Sequence, residues 1–101
     1  MKFTNEMIEV IQKAPYLTLV TVTENGTVHP VIVGGKEQKG DTIHIGIYKL
    51  DVTKKNLSFN PKAWIVVATV ENGPKGFRFY GTAVIKDKEL VFTPDAVETM
   101  I

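Results

Sequence analysis

The sequence contains no cysteine among its 101 residues, and this absence excludes several kinds of chemistry. Disulfide bonds, thiolate metal sites, cysteine nucleophiles and thiol redox reactions all require a residue that the chain lacks. A large charge of one sign is also missing, because 12 basic and 11 acidic residues leave a formal net charge of +1. Such a chain has no whole-molecule field that attracts nucleic acid or an anionic membrane. Any anion-binding site must therefore be local.

Long hydrophobic runs are absent too. No apolar stretch approaches the roughly 18 residues that a membrane span needs, and the first residues have no apolar signal core. We therefore expect a cytoplasmic protein without membrane contact. A hydrophobic fraction of 44% and a charged fraction of 23% are typical of an ordinary globular protein. At this length we expect a single domain spanning residues 1–101.

Side chains that commonly carry catalysis are scarce. The two histidines, His29 and His44, have no metal-ligand neighbour at the usual spacing, and we interpret both as half-buried strand residues with no metal site. Ser58 is the only serine, and no nucleophile-elbow, Walker-type or dinucleotide-binding glycine motif is present. Asp41 and Asp51 could supply a carboxylate pair, although acids at such positions are more typical of surface turns. The sequence therefore assigns no catalytic residue.

The residues that are abundant favour antiparallel strands. Alternating, β-branched segments flank two Glu-Asn-Gly turns, which are typical of hairpins. Pro30 lies inside one segment and favours an edge strand there. The nearly continuous apolar run 63–70 predicts a strand that is buried on both faces. The predicted strands are Leu17–Thr23, Thr27–Val33, Thr42–Tyr48, Ala63–Val70, Phe77–Ile85 and Glu89–Phe92.

Two helices are predicted at the ends of the chain. An apolar stripe predicts a helix over Asn5–Lys13, which Pro15 ends. Thr93-Pro94-Asp95 has the form of a helix start, with an N-cap hydroxyl and a proline at the first helical position. Five or six antiparallel strands in about 100 residues favour a small barrel, because closing the sheet removes exposed edges.

The stretch from Asp41 to Pro61 carries the most functional information. A strand here runs directly into a short helical turn that bears Lys49, Lys54 and Lys55 and the hydroxyl of Thr53. Amides at the start of a helix lack intrahelical partners and stabilise an anion. The junction is therefore a candidate phosphate site, although most short lysine-bearing helices only present a solvated face.

Nucleic-acid binding is a weaker alternative. Phe77-Arg78-Phe79-Tyr80 resembles the aromatic strands on which small oligonucleotide-binding barrels stack bases. Arg78 is the only arginine, however, and a binder that relies on phosphate contacts has a basic excess. We therefore expect no nucleic-acid partner.

Four segments in order resemble the FMN-binding split-barrel family, which includes pyridoxamine 5′-phosphate oxidase and small bacterial FMN-binding proteins. The resemblance covers residues from about 5 to 86. It implies a mainly β fold, a six-stranded antiparallel split β-barrel of Greek-key type with short flanking helices. The matching segments are Leu17-Thr-Leu-Val-Thr-Val-Thr-Glu-Asn-Gly26, His29-Pro30, Lys54-Lys55-Asn56-Leu57 with Asn60-Pro61, and Phe77-x-Phe79-Tyr80-Gly81-Thr82-Ala83.

The resemblance also implies which residues hold FMN. In that family the flavin lies in a cleft between the two subunits of a homodimer, with its phosphate near the strand-to-helix junction. The residues that would flank the flavin ring are Val31, Ile32, Val33, Ile45, Gly46 and Ile47. Those expected at the phosphate are Thr53, Lys54 and Asn56, with Lys49 and Lys55 as further candidates.

The implied function is that of an FMN-binding flavoprotein, a flavin-dependent oxidoreductase or electron carrier with a small-molecule redox partner or substrate. The arginine-rich substrate site of true pyridoxamine phosphate oxidases is not recognisable, which argues against vitamin B6 chemistry. Val52 and Thr53 stand where some relatives have a basic residue. That difference favours the alternative function, a cofactor-free split-barrel module for binding or interaction.

Overall fold

The computed structural model describes residues 1–47 and 49–101, and it has two short helices and seven strands. Tyr48, the expected last residue of one predicted strand, lies outside the described residues. In chain order the elements are α1 (Asn5–Lys13), β1 (Leu17–Val22), β2 (Val28–Val33), β3 (Lys36–Lys39), β4 (Thr42–Gly46), α2 (Asp51–Phe59), β5 (Lys62–Thr69), β6 (Lys75–Lys86) and β7 (Glu89–Thr99).

Helix α1 begins and ends where its sequence predicts. The Thr4 hydroxyl accepts a hydrogen bond from the amide of Met7 at 3.2 Å, which satisfies one of the unpaired amides of the first turn. At the other end Ala14 is extended, with ψ of 128°, because the following Pro15 disfavours the helical conformation there. The apolar stripe of α1 buries Val10 and Ile11 in the core.

All seven strands form one antiparallel sheet in the order β2-β1-β5-β6-β7-β4-β3. The two edge strands, β2 and β3, are consecutive in the chain and are joined only by Gly34 and Gly35. A flat seven-stranded sheet would separate its edges by about 29 Å, since neighbouring strands lie about 4.8 Å apart. The three steps of chain from Val33 to Lys36 span at most about 11 Å. The sheet therefore curls until its edges meet, which gives the expected split barrel.

The strand connections are those of a Greek key. Strands β5, β6 and β7 form a meander, and β4 reaches β5 through the segment that contains α2 but lies beside β7. Pro30 lies on the edge strand β2, as its missing N–H predicts. The second Glu-Asn-Gly turn has positive φ at Asn72 and Gly73, 61° and 92°, as a tight hairpin turn requires.

The inside of the curl is the hydrophobic core. Alternate residues of each strand point inward, and the largest side chains that are completely buried include Leu19, Ile65, Phe79 and Phe92. The expectation that β5 is buried on both faces is wrong for this chain. Its residues alternate, so that Ile65 is buried whereas Trp64 and Val66 on the outer face are only partly covered.

Two further expectations are corrected. The chain has seven strands rather than six, because Lys36–Lys39, a polar segment without a strand pattern, pairs with β4 as the edge strand β3. No helix begins at Thr93-Pro94-Asp95, which lies inside β7. Pro94 is tolerated there because the β6–β7 register shifts next to its partner Gly81, and at such an irregularity a missing N–H costs no ladder bond.

In the part of the chain that is described, neither helix is long or apolar enough to cross a membrane.

Gly81 is required at the register shift by the close approach of β7. A Cβ atom on Gly81 would lie 2.0 Å from the carbonyl oxygen of Thr93, a backbone atom that cannot turn away. We expect Gly81→Ala to lower the free energy of unfolding by about 2 kcal/mol or more, as overpacking against a rigid neighbour does. Urea denaturation measures this, and Gly35→Ala is the control because nothing lies within 4 Å of its Cβ position. Equal stability of the two variants would contradict this reading of the bulge.

Candidate functional site

Helix α2 follows β4 after a short connection, and its first turn has no side-chain cap. Leu50 at the N-cap position has φ of −89° and ψ of 61° and makes no side-chain hydrogen bond to the helix amides. The predicted lysine-bearing helical turn before Pro61 is confirmed, and it is a helix of nine residues. At its end the Asn60 N–H donates a hydrogen bond to the Asn56 carbonyl. Uncapped amides at a helix start can bind an anion.

The start of α2 forms one wall of a groove of about 300 Å³. The opposite wall is the edge strand β2, through the half-buried side chains of His29 and Val31. The full lining consists of His29, Val31, Lys49, Leu50, Asp51, Val52 and Thr53. We call this the junction groove, since it lies where the chain passes into α2.

A buried hydroxyl of α2 lies at this groove. Thr53 is 1% exposed, and among the described residues no donor or acceptor contacts its Oγ1. Leaving a buried hydroxyl unpaired costs on the order of 1–3 kcal/mol. One turn further along α2, by contrast, the buried Asn56 Nδ2 donates to Thr21 Oγ1 of β1 at 3.0 Å. The polar inner side of α2 is thus satisfied at Asn56 and unsatisfied at Thr53.

The charges around the junction groove favour an anion. Lys49 and Lys55 are exposed, with Lys49 in the lining of the groove. Asp51 in the first helical turn opposes them. These two lysines and the one aspartate leave an excess of one positive charge beside the two grooves. In a chain with a net charge of only +1, this is a local basic site.

A second groove adjoins the junction groove at Val52. It has about 410 Å³ and lies between α2 and the turn that joins β1 to β2. Val52 and Phe59 on its helix side are about half exposed, which is unusual for large apolar side chains. Its lining consists of Thr23, Glu24, Asn25, Val52, Lys55, Asn56 and Phe59.

Lys54 lies apart from this pair of grooves. Successive residues of a helix point about 100° apart. Lys54 accordingly lines a third and largely apolar groove on the β6 side of α2, together with Leu57 and Val84. Of the residues expected at the phosphate, the structure therefore brings Lys49 and Thr53 together. Lys55 and Asn56 lie in the adjoining groove, and Lys54 lies on the other side of the helix.

The residues expected to flank a flavin ring are divided by strand alternation. On β2, Val31 lines the junction groove and Val33 is buried in the core, whereas Ile32 points to the outside and is 65% exposed. Ile45 and Ile47 are also core residues. Gly46 is exposed and lines a separate polar groove beside His44 and Glu89. Only Val31 of these six therefore has its side chain in the junction groove.

His29 belongs to the junction groove although the sequence reading gave it no ligand-binding role. It is half-buried, as expected, but its ring shares the groove with Lys49 and Thr53. The signal was available in the pattern, because His29 and Val31 are two residues apart on one strand and must share a face.

Comparisons with known proteins agree with this fold. No protein-family model and no curated protein matches the sequence. Among solved structures, HupZ from Group A Streptococcus has a TM-score of 0.86 at 18% identity, over 97% of this chain and 94% of that one. An FMN-binding protein from Syntrophomonas wolfei has a TM-score of 0.77 at 21% identity, over 95% of this chain and 87% of that one. A candidate pyridoxamine 5′-phosphate oxidase from Lactobacillus delbrueckii has a TM-score of 0.81 at 15% identity, over 96% of this chain and 93% of that one.

The chain thus has the split-barrel fold that FMN-binding and pyridoxamine 5′-phosphate oxidase-like proteins share, as the sequence resemblance predicted. The same fold also occurs in HutZ, the heme storage protein of Vibrio cholerae, and in an F420 reductase, each with a TM-score of 0.72. At identities of 10–21%, these similarities establish the fold of this chain only. The choice of ligand has to be argued from the residues that line the grooves.

The unpaired Thr53 hydroxyl gives a direct test of the site. We expect Thr53→Val, which keeps the shape and removes the hydroxyl, to stabilise the ligand-free protein by about 1 kcal/mol in urea denaturation. Thr21→Val is the matched control, because it removes the acceptor of Asn56 and should destabilise by a similar amount. Destabilisation by both substitutions would indicate that the Thr53 hydroxyl has a partner after all.

Proposed function

We propose that this protein binds FMN in the junction groove and acts as a flavin-dependent oxidoreductase or electron carrier. The observation that carries the proposal is the unpaired, buried hydroxyl of Thr53 at the uncapped start of α2. A phosphate there would accept hydrogen bonds from that hydroxyl and from the helix amides, and the dipole of α2 would stabilise its charge. The FMN-binding neighbour from Syntrophomonas wolfei, which has the same fold, supports this choice of ligand.

The groove residues suit the parts of FMN in turn. Lys49 and Lys55 offset the phosphate charge of about −1.5 to −2. The Asp51 carboxylate can accept hydrogen bonds from the ribityl hydroxyls. Val31 gives the ring an apolar contact on β2. The bound flavin would supply electron or hydride transfer, and the chain's contribution is to hold it, orient it and set its potential through nearby charge and dryness.

A homodimer belongs to the same proposal, because the outer face of the sheet carries an apolar row. Pro30, Val20, Trp64 and Tyr80 stand in direct register across β2, β1, β5 and β6. The Trp64 and Tyr80 rings are 5.2 Å apart, and Ile32 beside this row is 65% exposed. An apolar surface of this kind is typical of a protein–protein interface. Because β2 contributes to both the apolar row and the junction groove, a second copy seated on this face would border the groove.

A second candidate ligand is heme, which His29 favours. Its imidazole lies in the junction groove and is the kind of side chain that holds heme iron. HutZ, a heme storage protein, has the same fold. The cytoplasmic location expected from the sequence stays a prediction for either ligand.

FMN binding is tested by the visible spectrum and flavin fluorescence of the purified protein during titration with FMN and riboflavin. We expect Lys49→Ala and Lys55→Ala to weaken FMN by about tenfold each, the value of one charge-assisted contact, and to leave riboflavin unchanged because it has no phosphate. The control is Lys86→Ala, an exposed lysine at the end of β6.

Equal losses for FMN and riboflavin would place the phosphate outside the junction groove. A spectrum and melting temperature that excess FMN leaves unmoved would refute the flavin proposal. Hemin is titrated in parallel, and hemin binding that His29→Ala abolishes would identify the second candidate. Binding of neither ligand would support the cofactor-free interaction module.

The dimer is tested by sedimentation velocity. We expect Ile32→Glu to convert the dimer to a monomer, since it places an unpaired charge in an apolar interface. Val70→Glu is the matched control, because Val70 is 83% exposed and follows the last residue of β5, outside the paired strands that carry the apolar row. A wild-type monomer, or an Ile32→Glu variant that remains dimeric, would contradict this interface.

A further inference from the structure

An imidazole on β4 is held between a hydroxyl and a carboxylate. His44 Nε2 lies 2.9 Å from Thr42 Oγ1, and His44 Nδ1 lies 2.5 Å from Glu89 Oε1. Thr42 and His44 belong to β4, whereas Glu89 is the first residue of β7. The three side chains therefore connect the β3–β4 hairpin to β7.

The partners of Thr42 define the protons on the ring. Thr42 Oγ1 also lies 2.9 Å from the carbonyl oxygen of Lys39, which can only accept a hydrogen bond. The hydroxyl has one proton, so when it donates to Lys39 it must accept from His44 Nε2–H. The Glu89 carboxylate likewise accepts from Nδ1–H. All three hydrogen bonds coexist only when both ring nitrogens are protonated.

We propose that Thr42, His44 and Glu89 form a proton-dependent clasp that fastens the β3–β4 hairpin to β7. Loss of one ring proton breaks one of the three hydrogen bonds. Either a nitrogen lone pair then faces the Glu89 carboxylate, or the Thr42 hydroxyl leaves the Lys39 carbonyl to donate to Nε2. The second change loosens the turn between β3 and β4.

The clasp lies beside a short ladder. Strand β4 pairs with β7 over only four residue pairs, Ile43–Phe92 to Gly46–Glu89, as many as join β3 to β4, whereas β6 and β7 pair over ten. Beyond the ladder, the Ile47 amide donates to the Lys88 carbonyl at 2.9 Å. A side-chain contact is therefore a larger share of the total at this seam than along the β6–β7 ladder.

Other charges surround the clasp. Glu37 is the register partner of His44 on β3, and Lys36 lines the same polar groove of about 250 Å³. Burial lowers the pKa of Lys36, whose Nζ donates to the Ala14 carbonyl. The hydrogen bond from His44 is the main cause that holds the pKa of Glu89 below its ordinary 4.5, with smaller contributions from the charges of His44 and Lys39.

The acid limit of the clasp follows from Glu89. Because the pKa of Glu89 is lowered in the fold, mainly by the hydrogen bond from His44, its contribution is present above its ordinary value and is lost as the pH falls through the lowered one. The alkaline limit follows from the hydrogen bonds, since all three require both ring protons. Histidine is the side chain whose charge ordinarily changes between about pH 5 and 8, so this interval is the one to compare.

Amide hydrogen exchange tests the clasp in the protein without added ligand. Since Ile47 donates toward β7, the alternate amides of Ile43 and Ile45 point the same way. We expect their protection, corrected for intrinsic exchange, to fall about three- to fivefold between pH 5.5 and pH 8, as loss of a partly exposed ion pair implies. Protection of Ile65 on β5 should not change.

Two substitutions on β7 separate the clasp from a general charge effect. Glu89→Gln should lose most of the pH dependence. Glu98→Gln, also on β7, removes the ion-pair partner of Arg78 on β6, which lies 2.8 Å away, and should keep the pH dependence. Wild-type protection that is equal at pH 5.5 and pH 8, a pH dependence that Glu98→Gln also removes, or a neutral His44 ring at pH 5.5 by NMR would each overturn the proposal.

Discussion

The two-residue link between β2 and β3 is the constraint on which the rest of the structure depends. These strands are the two edges of a seven-stranded sheet, so Gly34 and Gly35 can join them only if the sheet curls until those edges approach each other. Closure gives each strand an inner face, and the core consists of the residues on those faces. It also leaves an outer face that one chain does not cover, where Val20, Trp64 and Tyr80 lie. The apolar outer face is thus a consequence of the same closure that makes the core.

The position of α2 connects this barrel to the candidate site. The helix packs against β1 and β6, and the buried hydrogen bond from Asn56 to Thr21 fixes its orientation. That orientation turns the uncapped first turn toward β2 and buries the Thr53 hydroxyl without a described partner. A buried polar group usually has a partner, so an unpaired one at a helix start has an energetic cost that a bound phosphate would remove. Lys54, by the same orientation, faces β6 rather than the junction groove.

Local patterns predicted most of the elements. The cap at Thr4, the break at Pro15 and the turn at Asn72-Gly73 depend on neighbours in the sequence, and each lies where it was expected. Of the three corrected expectations, the burial of β5 on both faces failed because its outer face is only partly covered. The other two failed where pairing with a neighbouring strand overrides local preference. Thr93-Pro94-Asp95 has a helix-start pattern but pairs with β6, because Gly81 allows the close approach of a bulged strand. Strand β3 has no strand pattern of its own and forms because the turn at Gly40, which has a φ of 57°, folds it back against β4 as a hairpin.

The sequence by itself determined a small antiparallel barrel, the absence of thiol chemistry and the lysine-bearing helix at the end of a strand, since these follow from alternation, turn residues and composition, and its resemblance to a known family implied that the barrel is a split one. Only the tertiary structure decided which lysine lines the junction groove together with Thr53, and that His29 lines it as well. It also brought His44 into contact with Glu89, 45 residues further along the chain. A helix rotates each successive side chain by about 100°, and a strand alternates its faces. Which residues share a groove therefore depends on how each element is turned against its neighbours, and packing alone sets that.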